Sequence, residues 1–597
     1  IIASTATTIV VFGPLLFWPG MVGQFMRYLP ATVIIALLAS LVMALIFLPV
    51  LGSLKRHKPV VSEAGVSRAG KAYGNLLAKL LQRPGKTFLG MLLAMVLIFI
   101  AYGSFNHGVE FFPSVEPESA QVLVRARGDL SIHERDELLQ RVEQRLLGLS
   151  EVKALYARSL VTTNSELPPD VVGTVQFQFT EWHERRRAAA ILNDMRAMTD
   201  DIPGIILEFR EQEGGPAAGK PIELHVTGLE QESIDAAVEL IVEKMNSLGN
   251  FVDIEDDRSL PGIEWLVNVD RAAAARFGAD VLTVGNAVQM VTNGLLLAKY
   301  RPEYASDEVD IRVRFPESWR SIEELTRLTV QTPRGQVPIS NFVTVEPAPK
   351  TSVLNRIDGN RAVTIKSDLA DGAQVGERLN ALLNSGLELP DGVRVNTAGE
   401  GADQQEAASF LATAFVTAIF LMLLILLIQF NSWYQAMLVM SAIVFSTAGV
   451  LLGLLINSQP FGIVMVGMGI IGLSGIVVNN NIVLIDTYNQ IRAAGASALE
   501  AAHETGCLRL RPVLLTSITT VLGLMPMVLA VNVNLLEPSL GFGAPSTQWW
   551  TQLSSAIAGG LTIATVLTLF ITPCMLVLGD NARGWFEARR AKRAADV

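Results

Sequence analysis

Three consecutive asparagines, Asn479, Asn480 and Asn481, interrupt the apolar run GIVVNNNIVLID over 475–486, which ends on Asp486. A second apolar run, RLRPVLLTSITTVLGLMPMVL over 509–529, carries Arg509, Thr516, Thr519 and Thr520. These residue types can hydrogen-bond and compensate charge. On a helix Gly472, Asn479 and Asp486 are seven apart and share one stripe, with Asn480 and Asn481 turned from it by about 100° and 200°. Arg509, Thr516 and Gly523 repeat the spacing, with Thr519 and Thr520 on the same side. The spacing predicts two polar stripes on neighbouring helices, able to face each other. An ionised residue deep in hydrocarbon costs about 2.5–3.5 kcal/mol on insertion scales, so such groups are sheltered in a bundle and are often functional. The other reading is packing or anchoring: Ser, Thr, Asn and Gly stripes join helices, and Asp486 and Arg509 stand near helix ends where snorkelling reaches water. Neither run holds a deep carboxylate, so ion-coupled transport would draw its titrating group from elsewhere.

Other chemistries find little footing. GVSRAGK (65–71) and GGPAAGK (214–220) imitate a phosphate loop, yet Ala72 and Pro221 stand where a Mg²⁺-binding Ser or Thr is needed. No nucleophile elbow accompanies a Ser/His/Asp set, and the 6 His lack metal spacing. Met195 and Met198 share a helix face as core or gap-filling residues. Cys507 and Cys574 fall near helix ends on one side and suggest neither a disulfide nor a metal site. The reading is of a chain that is not an enzyme and needs no cofactor.

The elements that would position the polar stripes are membrane helices. Half the residues are hydrophobic, 17% are charged, and the mean hydropathy is +0.38. Eight spans are expected, at about 1–18, 28–52, 87–105, 409–429, 436–456, 462–486, 513–531 and 556–579, each near the twenty residues that cross the hydrocarbon layer. The chain also repeats itself: IIASTATTIVVFGP (1–14) aligns with VLLTSITTVLGLMP (513–526), placing Thr7 on Thr519, Thr8 on Thr520 and Pro14 on Pro526. FLPVLG ending at Gly52 answers FITPCMLVLG ending at Gly579, with Pro49 on Pro573. Tandem halves in membrane sequence are the mark of transporters. Ile1 is not a start methionine and begins inside an element, so the expectation is a C-terminal fragment with about 420 residues upstream. The 53–86 connection is rich in Lys and Arg and the tail carries Arg589, Arg590, Lys592 and Arg593, whereas 532–550 has none; the basic side is cytoplasmic. A net charge of −10 argues against a nucleic-acid partner.

Between the third and fourth spans lie roughly 300 residues of soluble composition. Alternation at 120–127, a helical pattern at 131–147, strands near 151–160 and 171–179, a helix at 183–199 and a strand at 205–210 spell βαββαβ, the ferredoxin-like split βαβ. After the linker 214–221 a second unit starts with 222–228, 231–246 and 251–255, is interrupted over about 260–348, and resumes with 353–369 and 374–384. The fold class is therefore an α-helical membrane bundle with extramembrane α+β subdomains.

GIVVNNNIVLID, RLRPVLLTSITTVLGLMPMVL, FNSWYQAMLVM (430–440) and GVEFFPSVEPES (108–119) together resemble an inner-membrane permease of the resistance-nodulation-division (RND) superfamily, nearest its hydrophobe/amphiphile efflux branch, along the whole fragment. The resemblance implies a secondary active transporter: a homotrimer in the bacterial inner membrane, driven by the proton-motive force, working with a periplasmic adaptor and an outer-membrane channel on small amphiphilic substrates. It divides the chain into two first-half helices (1–52), a cytoplasmic connection (53–86), a helix (87–106), a periplasmic porter subdomain (107–216), a second one (217–259 and 349–405), a docking insertion (260–348), helices (406–531), a periplasmic loop (532–550), a last helix (551–579) and a cytoplasmic tail (580–597). Arg509 and Thr516 fall on the proton-relay Arg and Thr of the family, and Asn480 on its tenth-span Asn. Asn479 replaces the usual relay Lys, with Asp486, Thr519 and Thr520 as secondary polar groups. A gating loop near 161–171 would use Thr162, Thr163, Asn164 and Glu166, without an aromatic residue. The alternatives are a heavy-metal RND exporter and a non-transporting truncated permease or membrane scaffold.

Overall fold

A computed structural model describes residues 2–54, 68–127, 130–160, 167–168, 170–212, 219–258, 260, 262–303, 307–349, 353–370, 373–534 and 539–595. Among them seven helices are long and apolar enough to cross a membrane: Gly20–Ser53, Pro84–Phe105, Glu400–Phe430, Trp433–Ile456, Ile463–Ala493, Ala498–Val528 and Pro545–Arg583. The eighth expected span is present as a shorter apolar helix, Ile2–Phe17, whose last turn tightens at Pro14 into a 3₁₀ segment. Several helices outrun their expected ends. Ile463–Ala493 continues a further turn and more past Asp486, and the next helix starts at Ala498, well before Arg509. Its start is fixed by a capping box, with Ser497 accepting from the Glu500 N–H and the Glu500 carboxylate accepting from the Ser497 N–H.

The helices sort by how they are covered. Pro84–Phe105 buries no residue in the fold, and Gly20–Ser53 presents Leu38, Val42, Leu45 and Ile46 outward; helices apolar on every face suit lipid or further helices, not water. Trp433–Ile456, Ile463–Ala493 and the final helix form the interior. There the backbones approach closely. A Cβ added at Gly453 would sit 2.7 Å from the Ser555 carbonyl oxygen and 3.0 Å from the Gly559 Cα, and one at Gly449 only 2.9 Å from the Gly560 Cα. Small residues at a crossing let dispersion contacts replace the hydrophobic drive that lipid cannot supply.

Outside the bundle, the strands Ser119–Ala126, Val152–Ser159, Val171–Phe179 and Ile205–Glu211 form one antiparallel sheet in which the first strand lies between the third and the fourth. Helices Ile132–Leu146 and Ala188–Thr199 cover it, burying Val142, Leu146, Ile191 and Met195 against Val122, Val175 and Phe177. A second sheet has the same order: Phe251–Asp256, Asn360–Leu369, Ile222–Gly228 and Arg394–Ala398, over helices Gln231–Leu248 and Val375–Leu383. Both are split βαβ arrangements. The segment between Asp256 and Arg356 leaves the second unit through paired strands Ile263–Val269 and Val343–Pro349 and has its own core around Ala274, Val284, Val330, Ile339 and Phe342. From it projects a hairpin, Leu295–Tyr300 with Val309–Val313, exposed along nearly its whole length.

The crossing at Gly453 generates a prediction. Gly453→Leu should overpack the interface by about 1–3 kcal/mol and lower the thermal midpoint of the detergent-solubilised protein, whereas Gly90→Leu, where a Cβ meets nothing within 4 Å, should leave it unchanged; fluorescence-detected size exclusion after heating reads both.

Candidate functional site

The three asparagines diverge around their helix, and each turn of the stripe meets a different neighbour. Asn479 accepts a hydrogen bond from the Ser4 hydroxyl. One turn toward the N-terminus of the same face, Gly475 allows the Thr8 backbone to approach, a Cβ there lying 3.3 Å from the Thr8 Cα, and Thr8 Oγ1 reaches the Gly475 carbonyl at 3.4 Å. A Cβ at Gly472 would touch Phe12. The Gly472, Gly475 and Asn479 stripe is thus the seat of the short first helix, whose Ser4, Thr8 and Phe12 recur every four residues.

Asn481 is fully buried and faces the last helix. Its Nδ2 donates to Thr568 Oγ1 at 3.3 Å and to the Val477 carbonyl at 3.2 Å, while Thr572 Oγ1 donates to its Oδ1 at 2.8 Å. Asn480, between these two directions, is half-buried. Asp486 accepts from Gln490 Nε2 on its own helix at 2.8 Å.

On the following helix Arg509 is half-buried and its Nε donates to Thr487 Oγ1 at 2.7 Å. That bond ties the two polar helices together next to Asp486 in sequence. The expected facing of the stripes is otherwise not what the geometry gives: Thr516 is exposed and bonds the Val513 carbonyl at 3.0 Å, Thr519 is exposed and bonds Leu515, and Thr520 bonds Thr516. Their hydroxyls return to their own helix because no polar partner among the described residues stands opposite. Further along this helix Ser517, buried, also crosses to a neighbour, accepting from Thr565 Oγ1 at 2.7 Å. Thr162, Thr163, Asn164 and Glu166 lie outside the described residues, as do parts of both phosphate-loop imitations.

Sequence reading singled out Asn479 and Thr516 by their seven-residue spacing and passed over Asn481, Ser517, Thr565, Thr568 and Thr572. Thr565, Thr568 and Thr572 do follow helical spacing in the last span, which was the available signal. A second group it missed joins the bundle to the sheets. Gln552, buried in the last helix, donates to the Glu110 carboxylate, and Gln548 accepts from the Glu116 N–H at 2.9 Å. Burial pushes the Glu110 carboxyl up to about 7, with the Gln552 bond pulling the other way. Glu116 in turn pairs with buried Arg185 at 2.8 Å, so the chain 110–116 is pinned to the last helix at both ends and to the first sheet unit at Glu116.

This architecture agrees with known proteins along almost its whole length. The model of the AcrB/AcrD/AcrF family matches residues 1–580. The chain belongs to that family of RND permeases. Two solved structures, crystal forms II and I of a heavy metal efflux pump, superpose with TM-scores of 0.79 and 0.78 at 21% and 20% identity, covering 97% of this chain in each case. The chain spans 57% and 58% of the length of the chains in those two structures.

Asn481→Ala should cost about 0.6–1.7 kcal/mol, the range for hydrogen bonds between membrane helices. Most of that cost should vanish in a Thr572→Val background; a double-mutant cycle on unfolding of the protein in mixed micelles measures the coupling.

Proposed function

We propose that this chain is the larger part of the inner-membrane permease of a tripartite RND efflux pump that exports amphiphilic or hydrophobic small molecules by proton antiport. Arg509 carries the reading: a half-buried cation held by Thr487, on the helix that also bears Thr516, beside the helix that bears Asn479 and Asn480. A cation and neutral donors at a membrane helix interface stabilise a nearby carboxylate when it is charged and release it when it is protonated, which biases helix positions between two states. The titrating carboxylate itself would come from the part of the protein that this chain does not span. The exposed hydroxyl face of Thr516 and Thr519 is the surface such a helix would meet.

In this reading the two sheet units are periplasmic porter subdomains, 107–216 and 217–259 with 349–405, and 260–348 is a docking element toward adaptor and channel. The exposed hairpin supports assembly into a trimer. Leu297, Tyr300 and Ile311 are 65%, 58% and 47% exposed, and a two-stranded ribbon with apolar residues on its faces is marginal until another surface covers it.

The second reading, export of heavy-metal ions, is favoured by the two similar solved structures, both of a heavy metal efflux pump. Cells lacking their own pumps and carrying the complete protein distinguish the two by whether they survive bile salts and amphiphilic dyes or metal salts.

In those cells Arg509→Ala and Thr516→Ala should each lower energised export about tenfold or more, in proportion to the ~1.5–3 kcal/mol that a hydrogen bond to a charged group is worth, with the assembly's mass unchanged. Export that survives both changes would remove the relay assignment, and a chain without export in any background would be a scaffold. Leu297→Asp with Ile311→Asp should instead convert the assembly to single subunits, read by mass photometry.

A further inference from the structure

The two sheet units meet edge to edge without a shared ladder. Ile205–Glu211 is an outer strand of the first sheet and Phe251–Asp256 an outer strand of the second, and each pairs only within its own sheet. What joins them is side-chain chemistry, arranged in two parts along one seam beside a cleft of about 740 Å³.

The first part is built from carboxylates held by arginine. Arg125, 6% exposed, pairs with Asp170 at 2.8 Å and with Glu208 at 2.6 Å. Its remaining reach goes to the other unit's chain: Nη2 donates to the Arg258 carbonyl at 2.9 Å, and the Leu260 N–H donates to Asp170 at 3.1 Å. Arg258 is itself clamped by Asp256 at 3.0 Å and faces Asp235 at 3.7 Å, with Glu239 nearby. This part pins the two units to each other at Arg125.

The second part is a pair of carboxyls, Glu208 from the first unit and Glu255 from the second, 9% and 8% exposed and converging on one guanidinium nitrogen, Arg210 Nη2. Two buried carboxylates converging on one guanidinium repel when both are charged, which favours one proton held between them. Cations surround them unevenly. Arg210, one-third exposed, reaches Glu208 at 3.1 Å and Glu255 at 3.2 Å, and Lys220 stands 3.6 Å from Glu255 and 3.6 Å from Asp368. Lys220 also donates to the Asp253 carbonyl, and Arg196 from the first unit's second helix pairs with the Asp253 carboxylate. Lys366, paired across the ladder with Glu255, turns to Glu223 at 3.3 Å.

We propose that Glu208 and Glu255 form a proton-operated latch across this seam, closed while they share a proton and released when Glu255 ionises, so that pH sets how wide the cleft stands about the Arg125 contacts. The directions agree. Burial, and then the neighbouring Glu208, push the Glu255 carboxyl up to about 7. Burial also raises Glu208, but its bond from Glu255 and the charges of Arg125 and Arg210 outweigh that and hold it low. A raised carboxyl contributes its stabilisation fully below its ordinary value near 4.5 and loses it as pH rises through about 7. The latch therefore opens on the alkaline side. It does not depend on what the chain exports.

The test uses spin labels at Arg141→Cys and Ala236→Cys, exposed positions on one helix of each unit, in the full chain with Cys507→Ser; Cys574 is buried and needs no change. Pulsed dipolar spectra should show the inter-label distance lengthening between pH 5.5 and 8.5, with a midpoint near 7. Glu255→Gln, which donates the same bond at every pH, should hold the short distance throughout. Glu208→Gln leaves Glu255 among cations and should move the midpoint down by at least one pH unit, and this variant serves if Glu255→Gln fails to fold. A native distance that is the same at both pH values, a shift that persists in Glu255→Gln, or an unmoved midpoint in Glu208→Gln would each overturn the latch.

Discussion

The close crossing of Trp433–Ile456 with the last helix, glycine against glycine at Gly449, Gly453, Gly559 and Gly560, is the contact on which the remaining arrangement rests. Lipid offers no hydrophobic reward for bringing two apolar helices together, so their adhesion has to come from short-range contact and from polar pairs that water would otherwise satisfy. With the backbones this near, the last helix lies against Trp433–Ile456, Ile463–Ala493 and Ala498–Val528 at once. It carries Thr568 and Thr572 to Asn481 and Thr565 to Ser517. Its upper turn delivers Gln548 and Gln552 to Glu116 and Glu110. Bundle and sheets are thereby joined through one rod, and a rotation of that rod would be felt at both ends.

Two kinds of polar group occupy the bundle, and their surroundings separate them. Asn481, Ser517, Thr565, Thr568 and Thr572 are buried and mutually satisfied, which is what a packing role requires. Thr516, Thr519 and Thr520 spend their hydroxyls on their own carbonyls, the fallback of a hydroxyl in a membrane helix without an external partner. Arg509 is intermediate, with one bond to Thr487 and a guanidinium that has further donors to give. The second group is the one free to respond to a charge brought near it.

Much of this was legible in the sequence because membrane helices and split βαβ units have strong periods. Apolar runs near twenty residues marked the spans, and alternation at 120–127 and 171–179 marked strands that now pair at Val122 and Val175. What the sequence concealed was direction. Seven-residue spacing identified a stripe through Gly472 and Asn479 but not its partner, which proved to be the first helix rather than the one bearing Thr516. A helix hydrophobic on all sides gives no moment to say which face turns inward, so the buried Asn could not be told from its two neighbours by pattern alone. The repeat between 1–14 and 513–526 placed Thr8 on Thr520, yet Thr8 lies against Gly475 while Thr520, among the described residues, bonds its own helix; equivalent positions in a repeat need not have equivalent neighbours.

The seam between the sheet units was invisible for a different reason. Arg125, Asp170, Glu208, Arg210, Lys220 and Glu255 are scattered across more than a hundred residues of soluble-looking sequence, and each alone reads as a solvated surface charge. Burial in pairs changes their meaning. An ion pair such as Arg125 with Asp170, removed from water, contributes little net stability once desolvation is subtracted, and a ladder of backbone hydrogen bonds between the two edge strands would have been the firmer joint. Edge strands that meet through charges instead of a ladder can part without breaking either sheet, each of which keeps its own core around Val175 and Ile365. A joint made this way trades strength for reversibility, and it places a titrating carboxyl where the two rigid bodies touch.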